Sequence, residues 1–176
     1  AMGITLVMRG DDHISNTPKQ ILLYEALGAS LPTFGHLPMI HGMDGKKLSK
    51  RHGATAVGDW QHQGILPDAM LNFLALLGWS PGNDIEVMSR HELMTLFNAD
   101  HLLKKASIFD VKKLEWMNGQ HLSRSTAAAL RPHVLPHLAT PTHDAAFWAG
   151  LDAQLDPIIE LTKARARTTL QLADQM

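Results

Sequence analysis

The sequence predicts a mainly α-helical chain with a partial α/β start. Three observations carry this expectation. Residues 4–8 form a short, continuously apolar run with β-branched members, the pattern of a strand inside a parallel sheet. A second short apolar segment follows at 34–41, ahead of the turn residues Gly42, Met43, Asp44 and Gly45. Beyond Gly53 the pattern changes to helix caps, first-turn prolines and apolar residues at helical spacing. A parallel sheet needs several strands joined by crossover helices. Two strand candidates followed only by helices therefore read as the end of an α/β layer, and residue 1 is expected to lie inside a larger protein.

Each element has its own signals. The first strand runs into Arg9, Gly10, Asp11, Asp12 and His13, polar residues at a carboxyl end, where open α/β sheets bind ligands. Thr17 and Pro18 supply a cap and a first-turn proline for a helix to Leu27, stopped at Gly28. Pro67 opens a helix whose apolar face uses Met70, Leu71, Phe73, Leu74 and Leu77, with Gly78 as its stop. Ser89 and Glu92 have capping-box spacing. Asp110 caps a helix carrying Val111, Leu114 and Met117 as far as Gly119. Ser123 or Ser125 starts another through Leu130, shortened by Pro132 and Pro136. Residues 144–174 read as helical, with breaks at Gly150 and Pro157, and Trp60, Trp79, Trp116 and Trp148 read as core.

Composition narrows the function classes. With 45% hydrophobic and 19% charged residues among 176, the chain can bury a sizeable core. No apolar stretch approaches the ~20 residues of a membrane helix, because the greasiest segment is cut by Asn72 and Gly78. The first residues lack the pattern of a signal peptide. The absence of cysteine excludes disulfide scaffolds, cysteine-liganded zinc and thiol catalysis, and makes the cytoplasm the expected compartment. The net charge of −1 hides one basic cluster, Lys46, Lys47, Lys50 and Arg51, four of the six basic residues before residue 58.

That cluster lies in the run Asp44, Gly45, Lys46, Lys47, Leu48, Ser49, Lys50, Arg51. A glycine-started loop with four cations and a hydroxyl suits polyphosphate charge that grows in a transition state, with a solvated basic turn as the plain alternative. It is not a Walker loop: Gly42 and Gly45 are too close together, and a lysine follows Lys46. Asp11, Asp12 and His13 are adjacent, point in different directions and have no fixed further partner, so no protein-bound structural metal is expected. His91 and Glu92 begin like HExxH, but Thr95 stands where the second histidine belongs. His101, His121, His133, His137 and His143 show no ligand spacing and read as surface or hydrogen-bonded residues.

The string Lys47-Leu48-Ser49-Lys50-Arg51 resembles the KMSKS signature of class I aminoacyl-tRNA synthetases, in the KLSKR form of bacterial-type glutamyl-tRNA synthetases. Arg9-Gly10-Asp11-Asp12-His13, Asn16-Thr17-Pro18-Lys19-Gln20, His36-Leu37-Pro38 and the stretch from Leu71 to Ser80 resemble that family in the same order and at similar spacing. The resemblance weakens through Ser107-Ile108-Phe109-Asp110 and residues 113–118, and little of it is claimed beyond 125. It implies that residues 1–42 end a Rossmann-like nucleotide-binding domain. Residues 43–126 would hold the signature loop and an all-helical stem-contact domain, and 127–176 the start of a helical anticodon-binding domain.

The implied activity is ATP-dependent attachment of glutamate to tRNA through a glutamyl-adenylate, with ATP and Mg2+ as substrate complex and glutamate and tRNA(Glu) as partners. Lys50 and Lys47 would be catalytic. Lys47, Leu48, Ser49, Lys50, Arg51, Asp12, His13, Met39 and Ile40 would bind ATP, and Arg9 would hold the substrate carboxylate through its guanidinium fork. Some of Lys104, Lys105, Lys112, Lys113, Arg124, Lys163, Arg165 and Arg167 would touch tRNA phosphate, although the last three spread over different helix faces.

One departure matters. The family's HxGH-type motif is absent, since none of the 11 histidines is followed by a residue, glycine and histidine. The segment alone is therefore expected to be inactive, and to self-associate through an unpaired sheet edge. Glutaminyl-tRNA synthetases, the relatives that glutamylate a queuosine base, and a non-catalytic helical tRNA- or protein-binding module are the alternatives. The queuosine-modifying relatives lack an extended helical C-terminal part, which disfavours them here.

Overall fold

A computed structural model describes residues 2–49, 56–139 and 145–176. Strand β1 (Leu6–Gly10) pairs in parallel with β2 (Thr33–Leu37), and helix α1 (Thr17–Ala26) lies between them in sequence. The strand sits two residues later than its apolar run suggests, because pairing rather than apolarity sets its ends. The ladder starts where Thr33 N–H donates to Thr5 C=O at 2.9 Å and stops opposite Leu37, since Pro38 has no N–H to continue it. Arg9 and Gly10 are thereby inside the sheet. β1 is also less buried than a central strand: Leu6 and Met8 stay 54% and 47% exposed, and α1 has no fully buried residue.

Pro38 splits the second apolar segment, and β3 (Ile40–His41) leaves the first sheet to pair in parallel with β4 (Ser107–Ile108). Two residues are too few to show alternation, so β4 has no sequence signature. This pair ties the strand region to the helices.

The start of α1 differs from expectation. Residues Asp11–Asn16 form a 3-10 helix directly after β1, and the cap position falls to Asn16, without a side-chain cap bond. Thr17 lies inside the first turn, where its own N–H already has a partner in Ile14 C=O. Its hydroxyl is thus available for other bonds.

The remaining helices are α2 (Val57–His62), α3 (Pro67–Gly78), α4 (Arg90–Leu96), α5 (Val111–Arg124), α6 (Ala127–Leu138), α7 (Ala145–Gly150), α8 (Asp152–Thr162) and α9 (Thr169–Asp174). The capping box of α4 forms as its spacing predicts: Glu92 N–H donates to Ser89 Oγ, and Glu92 Oε2 accepts from Ser89 N–H at 2.7 Å. These bonds hold the Glu92 carboxyl below its ordinary range. Asp110 caps α5 through the N–H groups of Lys112 and Lys113.

Four helix readings are corrected. The buried face of α3 is Ala69, Met70, Asn72, Phe73 and Leu77, while Leu71 and Leu74 are exposed. Asn72 draws the helix round, because its Oδ1 accepts from Met88 N–H at 2.8 Å and meets His121 Nε2 at 3.1 Å. Helix α5 continues past Gly119, where a Cβ would lie 3.1 Å from Arg167 Cδ and 3.3 Å from Ala166 O. Gly119 is therefore a close-approach residue and not a stop. Thr126 caps α6, not Ser123 or Ser125, and both Pro132 and Pro136 lie inside it. Pro157 lies inside α8, whereas Gly150 does end α7. The lost backbone bonds are offset by burial on one face: Leu130, Val134 and Leu138 in α6, Leu155 and Ile159 in α8.

These side chains form one hydrophobic cluster with Leu66, Ala69, Leu122, Ala166 and Leu172, and Trp148 packs on its edge. A second cluster gathers Trp60, Ile65, Met70, Phe73, Leu77, Phe109, Leu114 and Met117. Phe109 stacks on Trp60 with centroids 5.5 Å apart and meets Phe73 edge-on, and half-buried Trp116 packs against the group. Trp79, Met88 and Leu93 make a third. Among the described residues no helix is long and apolar enough to cross a membrane.

Asn118 on α5 joins these clusters. Its Oδ1 accepts from Leu66 N–H at 2.8 Å, and its Nδ2 donates to Gly64 C=O at 3.1 Å and Arg167 C=O at 2.6 Å. Gly64, at φ +78°, in turn accepts from Thr169 N–H at 3.0 Å, and a Cβ there would stand 2.8 Å from two backbone nitrogens of α9.

Asn118→Ala leaves the buried Leu66 N–H without its partner and removes one of the two bonds to Gly64 C=O, and it is expected to lower the unfolding free energy in urea by about 2–3 kcal/mol. His121, beside Asn72, is held below the ordinary histidine range by burial. Below pH ~6.5 the unfolded chain then binds the extra proton that the folded chain resists, so stability falls on acidification from 6.5 through the lower folded value. Urea midpoints against pH are expected to show this slope, and His121→Gln to flatten it.

Candidate functional site

The basic loop is anchored at its base before it projects. Ile40 C=O accepts from Leu48 N–H at 3.0 Å, and His41 bridges Lys47 antiparallel. Gly42 N–H reaches Lys46 C=O at 2.8 Å, and Gly45, at φ +71°, donates to Gly42 C=O at 3.0 Å. Asp44 Oδ1 accepts from Lys46 N–H at 3.0 Å, the local bond that favours aspartate in tight turns. Ile40 and Leu48 pack against the cluster around Trp60 and Phe73, so apolar burial holds the loop's two strands together.

The turn delivers Lys47 to the carboxyl end of β1. Its Nζ lies 2.8 Å from Asp12 Oδ2, and that hydrogen bond, with the lysine charge, holds the Asp12 carboxyl below its ordinary range. His13 Nε2 is 4.0 Å from Asp12 Oδ1. A Cβ on Gly10 would stand 2.6 Å from Asp12 Oδ1 and 3.2 Å from Met39 Sδ, so this glycine leaves room for both groups. Gly10, Asp12, His13, Met39 and Lys47 therefore meet at one place. The Lys47–Asp12 pair is exposed and contributes little stability, which leaves either partner able to change to a better one.

A second constellation lies one residue back along β1. Arg9 is opposite His36 on β2, and Phe34 shares that face two residues away. Arg9 Nη2 donates to Thr17 Oγ1 at 2.7 Å, Arg9 Nε faces His36 Nε2 at 3.4 Å, and Thr17 Oγ1 stands 3.1 Å from His36 Nε2. The guanidinium carbon lies 5.3 Å from the centre of the Phe34 ring.

Of the residues the sequence nominated, Arg9, Asp12, His13, Met39 and Lys47 line these two adjoining groups. Ile40 and Leu48 are half-buried with their side chains against the helical core, and Ser49 is half-buried at the end of the described loop. Lys50 and Arg51 lie outside the described residues. Thr17, Phe34 and His36 were given no site role by sequence reasoning. Alternation along β2 places Phe34 and His36 on one face, but only the β1–β2 register puts that face beside Arg9. Among the described residues no group of three or more His, Cys, Asp or Glu side chains could hold a metal ion. Several basic residues of the helical part already have partners: Lys113 pairs with Glu86, Lys163 with Glu160 and Ser125 C=O, and Arg124 with Val87 C=O.

Comparison with known proteins places these features in a family. The family model described as tRNA synthetases class I (E and Q), catalytic domain, matches residues 1–116. The glutamate--tRNA ligase of Bordetella avium (strain 197N) is 49% identical over 173 residues, 98% of this chain and 36% of that protein. That of Nitratidesulfovibrio vulgaris (strain DP4) is 48% identical over 176 residues, 99% of this chain and 36% of that protein. Among solved structures, a glutamate-tRNA synthetase from Elizabethkingia anophelis superposes with a TM-score of 0.83 at 31% identity. The match covers 98% of this chain and 38% of that one. A glutamate tRNA ligase from Elizabethkingia meningosepticum, solved with its amino acid, gives 0.81 at 31% identity over 98% and 37%. The chain thus spans little more than a third of the curated relatives it matches, 36% in both cases.

The Lys47–Asp12 contact can be read directly. The Asp12 carboxyl is expected to titrate below 3.8 by carbon-detected NMR, and Lys47→Met to move it upward. An unchanged value in Lys47→Met would show that the pair does not form in solution.

Proposed function

The chain belongs to the class I tRNA synthetase family of the glutamate and glutamine type, and from that membership we propose that it is part of an ATP-dependent ligase attaching glutamate to tRNA(Glu). The observation that carries the reading is the meeting of Lys47, Asp12 and Met39 at the carboxyl end of β1, the position where α/β sheets bind nucleotides. Curated relatives sharing 48–49% identity over nearly the whole chain are named for glutamate, which favours it over glutamine.

In this reading a glutamate carboxylate oxygen attacks the α-phosphorus of ATP, the bond to pyrophosphate breaks, and glutamyl-adenylate forms. A terminal ribose hydroxyl of tRNA then attacks the acyl carbon and releases AMP. Arg9 holds a carboxylate of the amino acid, which a fixed guanidinium fork does better than a mobile ammonium. Lys47 exchanges Asp12 for phosphate oxygens. Lys50 takes up charge as pyrophosphate leaves, and Ser49, Arg51 and the backbone of Leu48 shape the same loop. His13, Met39 and Ile40 border the nucleotide. Mg2+ enters with ATP as substrate complex and neutralises phosphate charge.

The same proposal divides the chain into the end of a Rossmann-like domain (1–42), the loop with a helical stem-contact domain (43–126), and the start of a helical anticodon-binding domain (127–176). It places the ligase in the cytoplasm. It also holds that this chain alone is inactive, because it lacks the HxGH-type motif, and that it self-associates, since Leu6 and Met8 on β1 and Leu22, Leu23 and Leu27 at α1 are exposed.

The test is glutamate- and tRNA-dependent ATP–pyrophosphate exchange by a full-length protein carrying this segment. Exchange is expected in that protein only, with Lys50→Ala and Lys47→Ala each lowering kcat by about 100-fold or more. Sedimentation of the 176-residue chain is expected to show association that grows with concentration. No exchange by a folded full-length protein would return the choice to a helical binding module, and exchange by the short chain would refute its inactivity.

A further inference from the structure

A guanidinium can be gripped along its Nε/Nη2 edge or presented by its Nη1/Nη2 edge, and which edge faces outward decides what it can recognise. In Arg9 the first edge is occupied from within the fold. Nη2 donates to Thr17 Oγ1 at 2.7 Å, and Nε points at His36 Nε2 at 3.4 Å. The bonding is mutually consistent. Thr17 Oγ1 accepts from Arg9 Nη2 and stands 3.1 Å from His36 Nε2 and 3.4 Å from His13 C=O, so its hydroxyl links the guanidinium to the ring, and Arg9 Nε lies against the same ring nitrogen at the longer distance of 3.4 Å. The face of the guanidinium lies against Phe34. Nη1 makes no hydrogen bond to any described residue.

From this arrangement we infer that Thr17 and His36 are positioning residues for amino-acid recognition: they close the Nε/Nη2 edge of Arg9 and turn its Nη1/Nη2 edge toward a substrate carboxylate. The inference rests on the reading that Arg9 holds that carboxylate. Arg9, near the carboxyl end of β1 in a two-stranded sheet, has four rotatable side-chain bonds and no carboxylate partner among the described residues. Three contacts from β2 and α1 remove that freedom before substrate arrives, so ordering of the side chain is not charged against binding. The geometry also accounts for Thr17, which does not cap α1 and instead uses its hydroxyl inside the cluster. Three sequence-distant residues thus act as one unit: Arg9 from a strand, Thr17 from the following helix, His36 from the partner strand.

The experiment uses the full-length ligase and reads KM for glutamate, KM for ATP and kcat in pyrophosphate exchange, with melting temperature as a fold check. Thr17→Val keeps the volume and removes the hydroxyl. It is expected to raise KM for glutamate about tenfold while KM for ATP stays within about twofold. Thr17→Ser restores the hydroxyl and is expected to return KM for glutamate close to wild type. His36→Gln, which keeps an acceptor, is expected to fall nearer wild type than His36→Phe, which does not. This second pair carries the test should Thr17→Val fail to fold.

A purely structural role would move both KM values together and show no rescue by Thr17→Ser, and that result overturns the inference. Arg9→Ala separates the two levels. If it raises KM for glutamate while Thr17→Val and His36→Phe do not, the positioning inference alone fails. If Arg9→Ala leaves KM for glutamate unchanged, or the wild type shows no glutamate-dependent exchange, the underlying reading fails with it.

Discussion

One buried side-chain amide orders most of the helical part. Asn118 bonds the backbone at Gly64, Leu66 and Arg167, positions 49–54 residues away in sequence, and it is fully buried where water cannot substitute. Leu66 is the residue from which α3 starts, so the amide sets where that helix begins. Helix α3 then presents Phe73 and Leu77 to Phe109, and Ile40 and Leu48 pack on the same cluster. The base of the basic loop thus packs on a cluster whose helix starts at a residue bonded by a remote side chain.

The site itself is held differently. Its Lys47–Asp12 pair is exposed and screened by solvent, whereas the bond from Asn118 satisfies a buried Leu66 N–H that would cost about 1–3 kcal/mol if left unmade. Strong bonds locate the scaffold, and a weak, exposed pair occupies the cation of the loop. Arg9 is intermediate. It is half-buried, with its fork held on one edge by Thr17 and His36.

Motifs with a short physical range were legible from residues alone. The Ser89/Glu92 capping box, the Asp110 cap, the first-turn proline of α3 and the Asp44/Gly45 turn form as their local chemistry requires. Readings that treated one residue as a break failed where burial opposed it. Pro132, Pro136 and Pro157 remain inside helices because each helix buries a continuous apolar stripe, and Gly119 is a contact with Arg167 because another segment crosses there. β4 could not be read at all, being two residues whose only strand property is their pairing with β3.

The sequence by itself determined the class of architecture, the family resemblance and the starts of α3, α4 and α5, because capping, turn formation and helical spacing act over three or four residues. It also nominated Arg9, Asp12, His13, Met39 and Lys47, which the fold does bring to adjoining places. Only the tertiary structure decided that Arg9 stands opposite His36, that Thr17 serves the guanidinium instead of capping a helix, and that Lys47 reaches Asp12 across 35 positions. Those relations depend on strand register and on how a turn is packed against a distant core, and neither quantity is a property of any short stretch of residues.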